Sequence, residues 1–139
     1  MKNSLALILI ALTYVSGSFR SNLAQNILDD GKKCILETNL ADNFVEMIQK
    51  FKFEDEEPIR DYFQCFTDKL DIWNKEEKTI DIDNFVQKYA FDFKKQDVRE
   101  IVNNCLDQQI PKWIVPFYQC LADSKLGSRV KHAQFMDEL

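Results

Sequence analysis

Four cysteines, Cys34, Cys65, Cys105 and Cys120, are the residues of this chain whose type and spacing promise most chemistry. Thirty, thirty-nine and fourteen residues separate them. There is no Cys-x-x-Cys pair, and the single histidine is His132, so thiol exchange and zinc ligation lack their usual partners. An even cysteine count in a short exported chain reads instead as a disulfide framework. Four cysteines permit three pairings, and the residues alone do not choose among them. Each bridge would stabilise the fold by about 3–4 kcal/mol by restricting the unfolded chain.

No other pattern assembles a reactive centre. The acid-rich stretch from Asp68 to Asp83 fails as a calcium loop: Leu70, Ile72 or Trp73 falls at ligand positions, and no glycine supplies the turn. His132 has no Gly-x-Ser-x-Gly elbow to serve, and phosphate and dinucleotide loops are missing. The ending Met136-Asp-Glu-Leu139 lacks the lysine of a retention signal. Neither enzymatic activity nor a cofactor or metal is expected.

The ends place the chain. Lys2 precedes an apolar run from Leu5 to Val15, and Ser16-Gly17-Ser18 offers small residues to a peptidase. That is a secretory signal peptide over residues 1–17, too short for a membrane span. Residues 18–139 then form one extracellular domain. The leader carries one cation and no acid, so the remainder is slightly more acidic than the formal −5 of the whole chain. Nucleic acid and anionic membranes are poor partners for it.

Three glycines and three prolines are too few for the turns of a sandwich or barrel. Apolar residues recur at helical spacing instead. Leu23, Ile27, Leu28, Cys34 and Ile35 mark a first helix, interrupted or bent near Gly31. Asn39 caps a second, striped by Phe44, Met47, Ile48 and Phe51. Pro58 opens a third with Ile59, Tyr62, Phe63, Phe66 and Leu70. A polar connection spans Trp73 to Lys78, and Asp81 caps a fourth helix with Ile82, Phe85, Val86 and Tyr89. Val98, Ile101, Val102 and Cys105 mark a fifth, and Trp113, Phe117, Cys120 and Leu121 a sixth that bends at Pro116 or starts late. Gly127 is the expected stop, with a tail from Ser128 to Leu139.

This layout resembles the insect odorant-binding proteins of the pheromone-binding and general odorant-binding family. Of that family's six cysteines, the first, third, fourth and sixth match Cys34, Cys65, Cys105 and Cys120. The second and fifth positions hold Asp61 and Pro111, the loss that defines the four-cysteine Minus-C branch. The run from Cys34 to Asn39 also resembles the family's, while the Cys105–Cys120 gap is shorter than usual.

The resemblance implies an all-α bundle of about six short helices around an apolar cavity, with Cys34–Cys65 and Cys105–Cys120 paired. It implies a carrier of small hydrophobic molecules, monomeric or weakly dimeric, that delivers its ligand to a membrane receptor. Residues suited to lining such a cavity are Met47, Phe51, Tyr62, Phe66, Trp73, Phe85, Tyr89, Trp113, Phe117 and Phe135. Each ring would serve equally as plain core. Phe135, Met136 and Leu139 would cover the mouth, or else fray as a terminus. Two rivals remain: a salivary or venom scavenger of host mediators on the same fold, and a cytokine-like helical signal protein.

Overall fold

The computed structural model describes residues 26–106 and 112–134. Helix α1 runs through residues 26–37 without a break at Gly31, which is buried. A glycine lowers helix propensity by about 1 kcal/mol, too little to interrupt a helix that buries Ile27, Leu28 and Cys34 on one side. Asn39 ends α1 rather than starting the next helix. It takes a left-handed backbone (φ 51°), the Asn39 N–H bonds the Leu36 carbonyl, and the Leu40 N–H bonds that of Ile35. That is a Schellman closure, a role Asn tolerates as well as capping.

Helix α2 spans Asp42–Gln49, with Ala41 as its N-cap. Helix α3, Glu57–Leu70, is the central element, with Pro58 in its first turn. Its predicted stripe of Ile59, Tyr62, Phe63, Phe66 and Leu70 is wholly buried.

The connection after α3 is a small hairpin. Strands β1 (Trp73–Asn74) and β2 (Thr79–Ile80) pair antiparallel, Trp73 opposite Ile80. Its turn contains no glycine: Asn74 Oδ1 accepts from the N–H groups of Glu76 and Glu77, each at 3.0 Å, and Lys78 supplies the positive φ. Helix α4, Ile82–Tyr89, begins at Asp81, whose carboxylate accepts from Asn84 N–H at 3.1 Å.

Helix α5 is Lys95–Cys105 and α6 is Ile114–Ala122. Pro116 falls in the first turn of α6, where a missing N–H breaks no helical bond, so α6 starts after Trp113 and does not need to bend. Gly127 does not stop the chain. It opens a seventh helix, α7 (Gly127–His132), and Val130, Ala133 and Gln134 of the expected tail are buried, as is Leu126 just ahead of it. Residues 135–139 lie outside the described residues, as do residues 1–25, where the leader is expected.

Cys34–Cys65 joins α1 to α3 and Cys105–Cys120 joins α5 to α6, with Cα atoms 5.7 and 5.5 Å apart. Around these ties α3 packs on α2 and α6, and α6 on α5 and α7. The architecture is all-α. No helix among the described residues is long and apolar enough to cross a membrane.

Candidate functional site

Four elements bring their aromatic faces together in the core. Helix α3 contributes Tyr62, Phe63 and Phe66, α4 Phe85 and Tyr89, and α6 Phe117 and Tyr118, all of them buried. Trp73, from β1, stacks on Trp113 with ring centres 4.2 Å apart. From there a chain of ring contacts runs inward: Trp113 to Phe117 at 5.5 Å, Phe117 to Tyr118 at 5.4 Å, Tyr118 to Phe63 at 4.6 Å. Phe63 touches Tyr62 at 5.2 Å, and Tyr62 stacks on Phe66 at 6.1 Å. A side branch leads from Phe63 through Phe53 to Phe51. Phe51 sits just past α2 at φ 52°, a conformation that costs a bulky residue about 1 kcal/mol or more; its ring contacts offset that.

Of the residues expected to line a cavity, Phe51, Tyr62, Phe66, Trp73, Trp113 and Phe117 belong to this connected set. Phe85 and Tyr89 form a second pair, 5.0 Å apart. Met47 is half-buried on α2 and is not part of either set. Phe135 lies outside the described residues.

Hydroxyls cluster within the rings. Thr67 donates to the Phe63 carbonyl at 2.7 Å, and its oxygen meets the Tyr118 hydroxyl at 2.7 Å. The Tyr62 hydroxyl donates to Gln134 Oε1 at 2.5 Å, across seventy-two positions of sequence. The Tyr89 hydroxyl faces that of Tyr118 and donates toward its oxygen in a loose hydrogen bond. Gln134 Nε2 has no hydrogen-bond partner among the described residues.

Burial pushes all three phenols well above their usual ionisation range, and their neighbours add to this for Tyr62 and Tyr89. The site is therefore apolar, uncharged and supplied with hydrogen-bond donors.

Nothing in this set is a nucleophile with a base beside it. Two open clefts lined by described residues mix polar and apolar surface. One lies among Asn26, Asp29, Asp30, Lys33, Leu70 and Lys88, where burial holds the Asp30 carboxyl above the ordinary range against the pull of Lys33, Lys69 and Lys88. The other follows the hairpin.

The PBP/GOBP family model matches residues 17–124. The chain belongs to that family. PBP/GOBP proteins are carriers of small hydrophobic molecules rather than enzymes. No curated protein matches the chain. The match covers α1 to α6 and stops before α7, so Gln134 is a site residue outside the matched segment.

Sequence reasoning missed Thr67 and Gln134. A signal for Gln134 was present: Leu126, Val130 and Ala133 recur at spacings of four and three, one helical face. Gly127 is what lets α7 start there. A Cβ at this position would run into the Ala122 carbonyl oxygen of α6. Gly127→Ala should therefore cost about 1–3 kcal/mol despite alanine's better helix propensity. A thermal melt as stable as the wild type would show that α7 is not seated by this contact.

Proposed function

We propose that the chain is a secreted insect carrier of odorants, pheromones or similar lipophilic molecules, from the four-cysteine branch of its family. The observation that carries this is the connected set of buried rings that α3, α6 and the hairpin bring together in a chain of the PBP/GOBP family.

Secretion is supported by the two bridges, which persist in oxidising fluids, and by a family match that starts at residue 17, after the apolar run. The branch is supported by the absence of cysteine at Asp61 and Pro111. In place of a third bridge, α3 and α6 are held by Phe63 on Tyr118 and by the Thr67–Tyr118 hydrogen bond. A membrane receptor would take the ligand at the end of the journey.

The expected affinity follows from area. Burying roughly 300 Å² of apolar ligand contributes on the order of 7 kcal/mol, and ligand ordering offsets part of it. Kd values around micromolar follow. A fluorescent hydrophobic probe should bind in that range and be displaced by alkyl esters and ketones. Absence of displaceable binding up to ~100 μM, the weak end for an apolar guest, would refute the carrier role.

A further inference from the structure

We propose that the turn of the β1–β2 hairpin is a cleavage site for a lysine-directed endoprotease, and that one cut there dismantles the protein. For a carrier, such a cut discharges the guest. The covalent topology behind it holds whether or not the protein is a carrier.

Cys34–Cys65 and Cys105–Cys120 close separate, non-overlapping stretches of chain, and no cysteine is left over to join them. The backbone through residues 66–104 is therefore the sole covalent link between the bridged loops. Cut at the hairpin, the chain parts into α1 to α3 and α4 to α7. A cut inside either bridged loop leaves its pieces tied, whereas a cut between them does not.

Within that link the hairpin turn is open to a protease. Asn74, Lys75, Glu76, Glu77 and Lys78 are all exposed, and exposed loop tips are preferred sites of nicking. A protease draws several residues of its substrate into extended form. The flanking strands are two residues each, so local opening of the hairpin costs little. Other described lysines are worse placed. Lys50, Lys52 and Lys112 lie inside the bridged loops. Lys125 is followed at once by the buried Leu126. Lys94 ends the α4–α5 connection, but α7 clasps that loop: Arg129 sits over the rings of Phe91 and Phe93 and pairs with Asp92 at 2.5 Å. The rest are within helices.

The step is a hydrolysis. Water's oxygen adds to the carbonyl carbon of Lys75 or Lys78, the bond to the next nitrogen breaks, and a proton passes to the new amine. The two fragments are then held by non-covalent contacts alone. Phe63 meets Tyr118 at 4.6 Å, Thr67 meets the same residue's hydroxyl at 2.7 Å, and Trp73 stacks on Trp113 at 4.2 Å. Each of these contacts crosses between the fragments, so neither keeps its rings buried alone. A short tether holds two partners at an effective concentration of about 1 mM, so at ~1 μM protein the cut forfeits about a thousandfold.

Limited digestion of the protein freed of residues 1–17, with a lysine-specific endoprotease, tests this. Mass spectrometry should place the first cut after Lys75 or Lys78, and a gel run without reductant should resolve two fragments. The nicked protein should melt below the intact one, and lower still after dilution, because its halves now associate by mass action. Lys75→Gln/Lys78→Gln alters only exposed side chains and should prolong survival of the intact chain about tenfold. A first cut elsewhere, or an unchanged rate in the double variant with its circular dichroism intact, overturns the site. A nicked protein that melts with the intact one at every dilution overturns the dismantling.

Discussion

Raised from pH 8 upward, the protein freed of residues 1–17 should show no tyrosine ionisation near pH 10, and then ionise and unfold in one step. The chain has four tyrosines, and Tyr14 falls within the removed residues 1–17. The remaining three, Tyr62, Tyr89 and Tyr118, are all buried. An unfolded phenol ionises near pH 10, whereas in the fold burial raises each of these well above that.

The folded state thus holds its phenolic protons where the unfolded state has lost them. Stability is unaffected below about pH 10 and falls as pH rises beyond it, by about 1.4 kcal/mol per pH unit for each group. Three groups together remove about 4 kcal/mol per unit. A total of about 5–15 kcal/mol is then exhausted roughly one to four units above pH 10, so the transition falls at about pH 11 or higher. Phenolate absorbance and helical circular dichroism, recorded on the same samples, should change together. Ionisation of even one tyrosine near pH 10 with the helices intact would mean the ring cluster admits water.

That cluster was half legible in the sequence. The α3 stripe from Ile59 to Leu70 and the Asp81 cap were readable because helical periodicity and capping are local rules. Other elements turned on choices that local rules leave open. Asn39 suits an N-cap and a left-handed closure alike, and the packing of Leu40 decided for the second. Gly127 looked like a helix stop, yet its lack of a Cβ serves a close approach to α6, a fact only tertiary structure holds. The hairpin turn uses Asn74 and a left-handed Lys78 where sequence rules look for glycine. Most telling is Gln134. A glutamine near the end of a chain reads as solvent-facing, and only the burial of Tyr62, far away in sequence, gives its carbonyl a partner.

Replacing both Cys34 and Cys65 by serine should cost about 4 kcal/mol, the largest loss expected from removing any one covalent tie. The bridge spans a sequence separation of 31 residues, against 15 for Cys105–Cys120. On the chain-entropy account the closed loop contributes more the longer it is, about 3.7 kcal/mol here and about 3.0 for the shorter one. Position widens the difference. Cys34–Cys65 is the one covalent link from α1 to the central helix. The nearby Lys69–Glu37 ion pair, at 3.0 Å, is too exposed to substitute for it. Ile27 and Leu28 would have to hold α1 by packing alone. By contrast α5 and α6 also pack directly on each other. Urea unfolding of the two double-serine variants separates these cases: the midpoint should drop further for Cys34/Cys65, with the slope unchanged or steeper. Equal drops would mean that loop length and the anchoring of α1 do not set the order. A loss under about 1 kcal/mol for both would point to an unfolded chain already as compact as the bridges make it.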